Sequence, residues 1–240
     1  MPVDFTIVIP ARNEADCLPE LLAEIPATPA CEIIVVDDGS TDDTVARIVA
    51  LPRARDLRVL RHAHAHGQSA AIHSGIRAAR ADWIITLDGD GQNDPADIPG
   101  LLAVRDRLPA DSRLLVCGQR TRRHDPFVKR VASRIANGVR SRLLADGVAD
   151  TGCGLKLIHR QTFLQLPGFD HMHRFLPALF LRAGAQVVCV PVSHRPRRAG
   201  RSKYGVCDRL RIGIVDLLGV GWLQRRKLHV NCSEVEIRHD

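Results

Sequence analysis

Aromatic residues are scarce in this chain, only 4% of 240 positions. With no recognisable nucleic-acid-binding motif either, a protein that stacks bases is disfavoured, and no nucleic-acid partner is expected. No run reaches the ~18 apolar residues a spanning helix needs. The best candidate, Ile212–Leu223, is too short and contains Asp216. The opening MPVDFTIVIP has no basic segment ahead of its apolar run. No secretory leader is therefore expected, and the expected location is cytoplasmic. The seven cysteines are odd in number and never spaced C-x-x-C. That speaks against a disulfide framework or a zinc site and for buried free thiols. Neither G-x-x-x-x-G-K-[ST] nor G-x-G-x-x-G occurs, and no hydroxyl carries a local nucleophile signature.

What is present fits a globular α/β protein. Hydrophobic residues make up 45% and charged residues 25%, ordinary values for a chain long enough to bury its own core. The net charge of +7 is unevenly spread. Residues 119–142 hold Arg120, Arg122, Arg123, Lys129, Arg130, Arg134, Arg140 and Arg142 against Asp125 alone. A second block runs Arg195, Arg197, Arg198, Arg201, Lys203, and a third Arg225, Arg226, Lys227. Such asymmetry suggests an anionic partner for the second half, or else a solvated basic face.

Hydrophobic patterning alternates strand and helix through the first ~120 residues. Strands are expected at Thr6–Pro10, Glu32–Val36, Leu57–Leu60, Trp83–Leu87 and Leu114–Cys117. Helices are expected at Asp16–Glu24, Asp42–Ala50 with Ser40 as N-cap, Ser69–Ala79 and from Pro95 to about Arg107. Such alternation implies β-α-β units and a mainly parallel central sheet flanked by helices. After Gly118 the pattern changes. A basic helix is expected over Phe127–Leu144, strands at Leu155–Ile158 and Gln186–Val192, a helix at Phe175–Arg182, and an amphipathic segment at Val206–Leu223. The expected organisation is one domain over 1–226, with halves 1–118 and 119–226, and a tail at 227–240.

Ligands of open α/β sheets bind beyond the carboxyl ends of the strands. Three polar clusters sit at those ends: Ala11-Arg12-Asn13-Glu14, Asp37-Asp38-Gly39-Ser40 and Asp88-Gly89-Asp90-Gly91-Gln92. Any one of them reads equally well as a turn, but three in register point to a site. Asp88 and Asp90 are the sharpest element. Two carboxylates separated by glycine can turn inward together, and hard oxygen donors suit Mg²⁺ or Mn²⁺ bridging a diphosphate.

The segments Val8-Ile9-Pro10-Ala11-Arg12-Asn13-Glu14, Val35-Val36-Asp37-Asp38-Gly39-Ser40-Thr41-Asp42-Asp43-Thr44 and Leu87-Asp88-Gly89-Asp90-Gly91-Gln92-Asn93-Asp94-Pro95 closely resemble family 2 glycosyltransferases with a GT-A (Rossmann-like) fold. Asp150-Thr151-Gly152-Cys153-Gly154-Leu155-Lys156, His173-Arg174-Phe175-Leu176-Pro177 and His194-Arg195-Pro196-Arg197 with Gly200, Ser202, Lys203 and Tyr204 resemble the branch that glycosylates dolichol or polyprenyl phosphate with mannose or glucose. The resemblance spans residues 3–226 and implies roles. Pro10, Arg12, Glu14 and Asp38 would line the nucleoside pocket, with Gly67 on the same donor side. Asp88 and Asp90 would hold the metal, joined by Gln92. Arg120, Arg130, Ser133, Arg134 and Ser202 would meet the acceptor phosphate. Arg197 and Lys203, with Ser202, would close on the diphosphate. Arg12 stands where the family often has Tyr, and Ala65 where Asn commonly precedes the glycine. Many relatives carry carboxy-terminal membrane helices, whereas this sequence ends shortly after Lys227.

The implied reaction is inverting transfer of a hexose from a nucleotide-diphosphate sugar to a polyprenyl phosphate. A phosphate monoester, with second pKa ~6, is already ionised near neutrality and needs positioning more than deprotonation. Asp150 is a candidate active-site carboxylate that orients substrate, or serves as base if the acceptor is a saccharide hydroxyl. Basic and apolar faces in 127–144 and 206–223 suit peripheral contact with an anionic membrane surface, or else core packing. His62, His64 and His66 read as solvated loop residues rather than a metal site.

Overall fold

Seven β-branched or leucine-rich runs become the strands of one sheet. In the computed structural model the described residues are 3–25, 31–52, 56–109, 112–121, 138, 140–196 and 206–226, with backbone only for 206–212. The strands are β1 (Phe5–Ala11), β2 (Cys31–Asp37), β3 (Asp56–Arg61), β4 (Trp83–Thr86), β5 (Leu114–Arg120), β6 (Lys156–His159) and β7 (Gln186–Val192). The helices are α1 (Leu18–Glu24), α2 (Thr44–Val49), α3 (Gln68–Ala78), α4 (Ile98–Arg105), α5 (Arg160–Leu164), α6 (Leu176–Arg182) and α7 (Val206–Arg225).

The strand order is β3-β2-β1-β4-β6-β5-β7. Every pairing is parallel except those of β6, which runs antiparallel to both β4 and β5. This reversal brings the start of β6 to the edge where the parallel strands end, so residues on both sides of the turn in direction reach one rim.

The sheet is covered on both faces, which is why β2 is buried at every position. Ile34 and Val36 face one core with α3 and α6, while Ile33 and Val35 face the other with α1 and α4. At the opposite rim, buried Glu32 accepts hydrogen bonds from Thr6 (2.7 Å), Arg58 (2.7 Å) and Arg80 (2.9 Å). Burial pushes its carboxyl up, but these donors outweigh burial and hold it below the usual glutamate value. Cys17, Cys31, Cys117 and Cys153 are buried free thiols. Burial pushes Cys117 up to about 12, so it is inert as a nucleophile.

The second helix departs from expectation in its length and in its cap. It is shorter, Thr44–Val49, and Ser40 does not cap it. The Ser40 hydroxyl instead accepts from the Asn13 N–H (2.9 Å), and Asp42 accepts from the Thr44 N–H (3.1 Å). Of the basic helix expected over 127–144, residues 127–137 and 139 lie outside the described residues; 138 and 140–144 are helical.

Candidate active site

The site grows from the carboxyl rim of the parallel strands. Ala11 pairs with Asp37, and Asp37 with Arg61, so the first three strands end level. The loops after β1 and β2 are then laced together. Asn13 accepts from the Thr41 N–H (2.8 Å), and the Glu14 N–H donates to the Thr44 hydroxyl (2.9 Å). Arg12 is exposed on this loop, and Glu14 and Pro10 are partly buried. Pro10 is also where the third cluster docks: its carbonyl would be 3.2 Å from a Cβ placed on Gly89.

Asp38 ties in the loop after β3. Its carboxylate accepts from the backbone N–H groups of His66 and Gly67 (both 2.8 Å) and from His62 Nδ1 (2.8 Å). Burial alone would raise its pKa, but these donors outweigh burial and hold it below the ordinary aspartate value. An ionised carboxylate only accepts, so His62 Nδ1 is the donor in that contact, while Nε2 meets the Ser74 hydroxyl (2.9 Å). His62 is therefore not a solvated loop residue, although His64 and His66 are exposed. Its partners lie 24 and 12 positions away. Gly67 is the N-cap of α3, and the next residue, Gln68, donates from Nε2 to Asp88 Oδ1 (2.8 Å).

Asp88 follows β4, and two contacts fix its loop. The Asp88 N–H donates weakly to Asn93 Oδ1 (3.4 Å), and the Gln92 N–H to Asp90 Oδ1 (3.1 Å). The Asp88 carboxyl lies directly against Gly154, where a Cβ would collide with it; only glycine permits that approach. Desolvation, then the Asp90 charge, push Asp88 up to about 6, against opposing fields from Lys156 and Arg120. A divalent cation would relieve that repulsion, and two carboxylates are a fitting hard-oxygen set. Among the described residues no three His, Cys, Asp or Glu side chains converge on a metal position. The protein would thus supply Asp88 and Asp90 here, and diphosphate and water the rest.

On the same rim Arg120, ending β5, forks onto Asp150, which leads toward β6. Nε donates to Oδ2 at 2.6 Å and one Nη to Oδ1 at 2.8 Å. Two other arginines from the basic blocks are also paired internally. Arg140 bonds buried Asp146 (2.6 Å), and Arg195 bonds Asp94 (2.7 Å) and Glu24. Arg195 thereby lays the segment after β7 across the Asp88–Asp94 loop, its N–H donating to the Gln92 carbonyl (3.0 Å).

Arg130, Ser133, Arg134, Arg197, Ser202 and Lys203 lie outside the described residues. Four residues near the rim were absent from the sequence-based set: Gln68, Gly154, Lys156 and His173. Lys156 is 5% exposed, and its position inside an apolar strand was the available signal. His173 Nδ1 meets the Ser69 hydroxyl at 2.7 Å.

Residues 6–166 match the profile of glycosyl transferase family 2. The chain is 34% identical over 234 residues to the dodecaprenyl-phosphate galacturonate synthase of Rhizobium johnstonii, an alignment covering 94% of this chain and 68% of that protein. It is 34% identical over 212 residues to the undecaprenyl-phosphate 4-deoxy-4-formamido-L-arabinose transferase of Edwardsiella ictaluri, covering 84% of this chain and 63% of that one. It thus spans about two thirds of the length of these relatives. Among solved structures, mannosyl-3-phosphoglycerate synthase from Rubrobacter xylanophilus superposes with a TM-score of 0.72 at 20% identity, covering 98% of this chain and 79% of that one. Glucosyl-3-phosphoglycerate synthase from Mycobacterium tuberculosis, bound to Mn²⁺, UDP-glucose and phosphoglyceric acid, gives 0.68 at 22% identity, covering 91% and 80%. At those identities the likeness is one of fold.

Proposed function

Because the chain belongs to glycosyl transferase family 2 and has its GT-A fold, we propose that it moves a sugar from a nucleotide-diphosphate donor to a polyprenyl phosphate. The observation that carries this reading is the meeting of Asp88 and Asp90 with the Arg120–Asp150 pair on one rim. The relatives' names, both polyprenyl-phosphate sugar enzymes, support the acceptor. They also turn the sugar away from the mannose or glucose of the sequence-based expectation, toward a uronic acid or an aminopentose derivative.

In this reading an acceptor phosphate oxygen attacks the anomeric carbon with inversion, and the bond to the donor's β-phosphate breaks. Mg²⁺ or Mn²⁺, when bound, would neutralise charge on the leaving diphosphate. Asp88 and Asp90 hold that end of the donor, with Gln92 on the same loop. Pro10, Arg12, Glu14, Asp38 and Gly67 frame the nucleoside end. Arg120 faces the acceptor phosphate while Asp150 fixes its direction. Fork-to-fork pairing makes Asp150 a positioning group and a poor base, which favours an already ionised acceptor over a saccharide hydroxyl. Arg130, Ser133 and Arg134 would add acceptor contacts, and Arg197, Ser202 and Lys203 diphosphate contacts.

The test is a donor and acceptor screen. Purified protein with Mn²⁺ and undecaprenyl phosphate is offered radiolabelled UDP-galacturonate, UDP-glucose and GDP-mannose. Label is expected in the lipid phase. Transfer to a free saccharide and none to lipid would sink the proposal.

The acceptor implies contact with a membrane. No helix among the described residues is long and apolar enough to cross one. Helix α7, however, buries Val220 and exposes Ile214, Val215, Leu218 and Trp222 at 51–65%. We assign this apolar stripe, beside Arg225 and Arg226, to peripheral contact with an anionic bilayer. Leu218→Asp with Trp222→Ser is expected to cut co-sedimentation with phosphatidylglycerol vesicles about tenfold or more, given the apolar area lost. Unchanged co-sedimentation would rule this face out.

A further inference from the structure

Two neighbours bear directly on the Asp88 carboxyl. It lies against Gly154, and its Oδ1 accepts from Gln68 Nε2 at 2.8 Å. Among the described residues this is the one hydrogen bond that the carboxylate accepts. An ionised carboxylate has no donor of its own, so the amide must turn its nitrogen toward Asp88. A bond to a charged acceptor is among the stronger kinds. The two oxygens offer about four acceptor positions, so the amide fixes the group and leaves the others open to a cation.

The backbone that carries Gln68 is held on both sides. Gly67 precedes it at φ 90°, a conformation that favours glycine, and its N–H donates to Asp38 (2.8 Å). Ser69 follows it, and the Ser69 hydroxyl meets His173 at Nδ1 (2.7 Å) and at the backbone N–H (3.2 Å). Asp38 and Ser69 are both buried. Further along α3, a Cβ on Gly75 would meet Val8 of β1 and Val36 of β2, so the helix sits close on the sheet. Gln68 is thus an exposed side chain on a fixed stretch of backbone. Free in solvent it would sample many rotamers; here the Asp88 contact selects one. The helix start that answers Asp38 at the nucleoside end therefore also reaches Asp88 at the diphosphate end.

We propose that Gln68 is a positioning residue, which holds the Asp88 carboxylate in one orientation for a divalent cation and so sets metal affinity from the nucleoside-side helix. This rests on the metal reading of Asp88 and Asp90 above. The competing use of the amide is a direct contact with the donor's sugar, and the experiment separates the two.

Gln68→Met keeps an unbranched side chain of good helix propensity and removes the donor. Because the position is exposed, the variant is expected to fold with an unchanged melting temperature. Mn²⁺ alone is titrated against the full chain through the free-ion paramagnetic resonance signal. Gln68→Met should weaken Mn²⁺ binding about tenfold, the lower end of what losing a hydrogen-bond partner of a metal ligand costs. Sugar transfer is then measured over a range of Mn²⁺ concentration, and excess Mn²⁺ should restore most of the variant's turnover. In an Asp88→Ala background the same change should cost no further turnover, since its target is gone. Unchanged or tighter Mn²⁺ binding in Gln68→Met overturns the proposal. So does a turnover loss that excess Mn²⁺ leaves in place, which would put the amide on the sugar. A further loss in the Asp88→Ala background overturns it too, because the amide would then act elsewhere. A wild type that binds no Mn²⁺ sinks the metal reading itself and the role of Gln68 with it.

Discussion

Asp88→Asn is expected to lower sugar transfer by about 10²–10³-fold, the scale of losing a main electrostatic contact to a developing leaving-group charge. The same variant should lose most of its Mn²⁺ affinity, read by titration of the free-ion paramagnetic resonance signal. Gly154→Ala is the sharper companion, since it removes no polar atom. Its new methyl would occupy the space of the Asp88 carboxyl. Either that carboxyl swings away or the start of β6 shifts, and a displacement near ~1 Å can cost on the order of 10²-fold in turnover. A Gly154→Ala protein with wild-type turnover and Mn²⁺ affinity would show that the Asp88 position is unimportant.

The second large effect concerns stability. Arg120 and Asp150 have side chains 18% and 5% exposed and share two short bonds. Arg120→Ala deprives a buried carboxylate of that guanidinium, and such losses cost about 3 kcal/mol or more. Asp150→Asn should cost less, because a neutral amide is cheaper to bury than an isolated charge. The double variant, measured by urea unfolding, is expected to fall short of the sum by about 2 kcal/mol, the signature of a direct pair. Strict additivity would mean that the fork contributes nothing and that Arg120 acts on its own.

Strands were legible in the sequence to within one residue at each end, except β5, which runs on from the expected end at Cys117 to Arg120. Runs such as Ile33–Val36 have no other stable place than a sheet covered on both faces. The three rim clusters were legible for the same reason, because a strand that ends in Asp or Asn must deliver it to the rim. Helix starts were less so. Ser40 satisfies every local rule for an N-cap, yet a neighbouring loop claims its hydroxyl. Least legible were partners far apart in sequence. The second basic block suggested an anion for Arg195, but Glu24, 171 positions earlier, already holds it. Asp150 and Arg120 were assigned separate tasks, and only the fold reveals them as one unit. Composition counts charges without showing which are already matched.

The reversed strand β6 has a consequence for how the chain reaches the rim. Because β5 and β6 are antiparallel neighbours, the chain leaves the rim at Arg120 and returns to it at Asp150, with the Gly118 N–H on the Leu155 carbonyl (2.9 Å) close by. Of the residues between, Leu144 and Val148 are packed into the core and Arg140 is paired with Asp146, so the return to the rim is held by burial as well as by the Arg120–Asp150 ion pair. The polar clusters that end the parallel strands and the Arg120–Asp150 pair beside the reversed one therefore reach a single rim on separate stretches of chain.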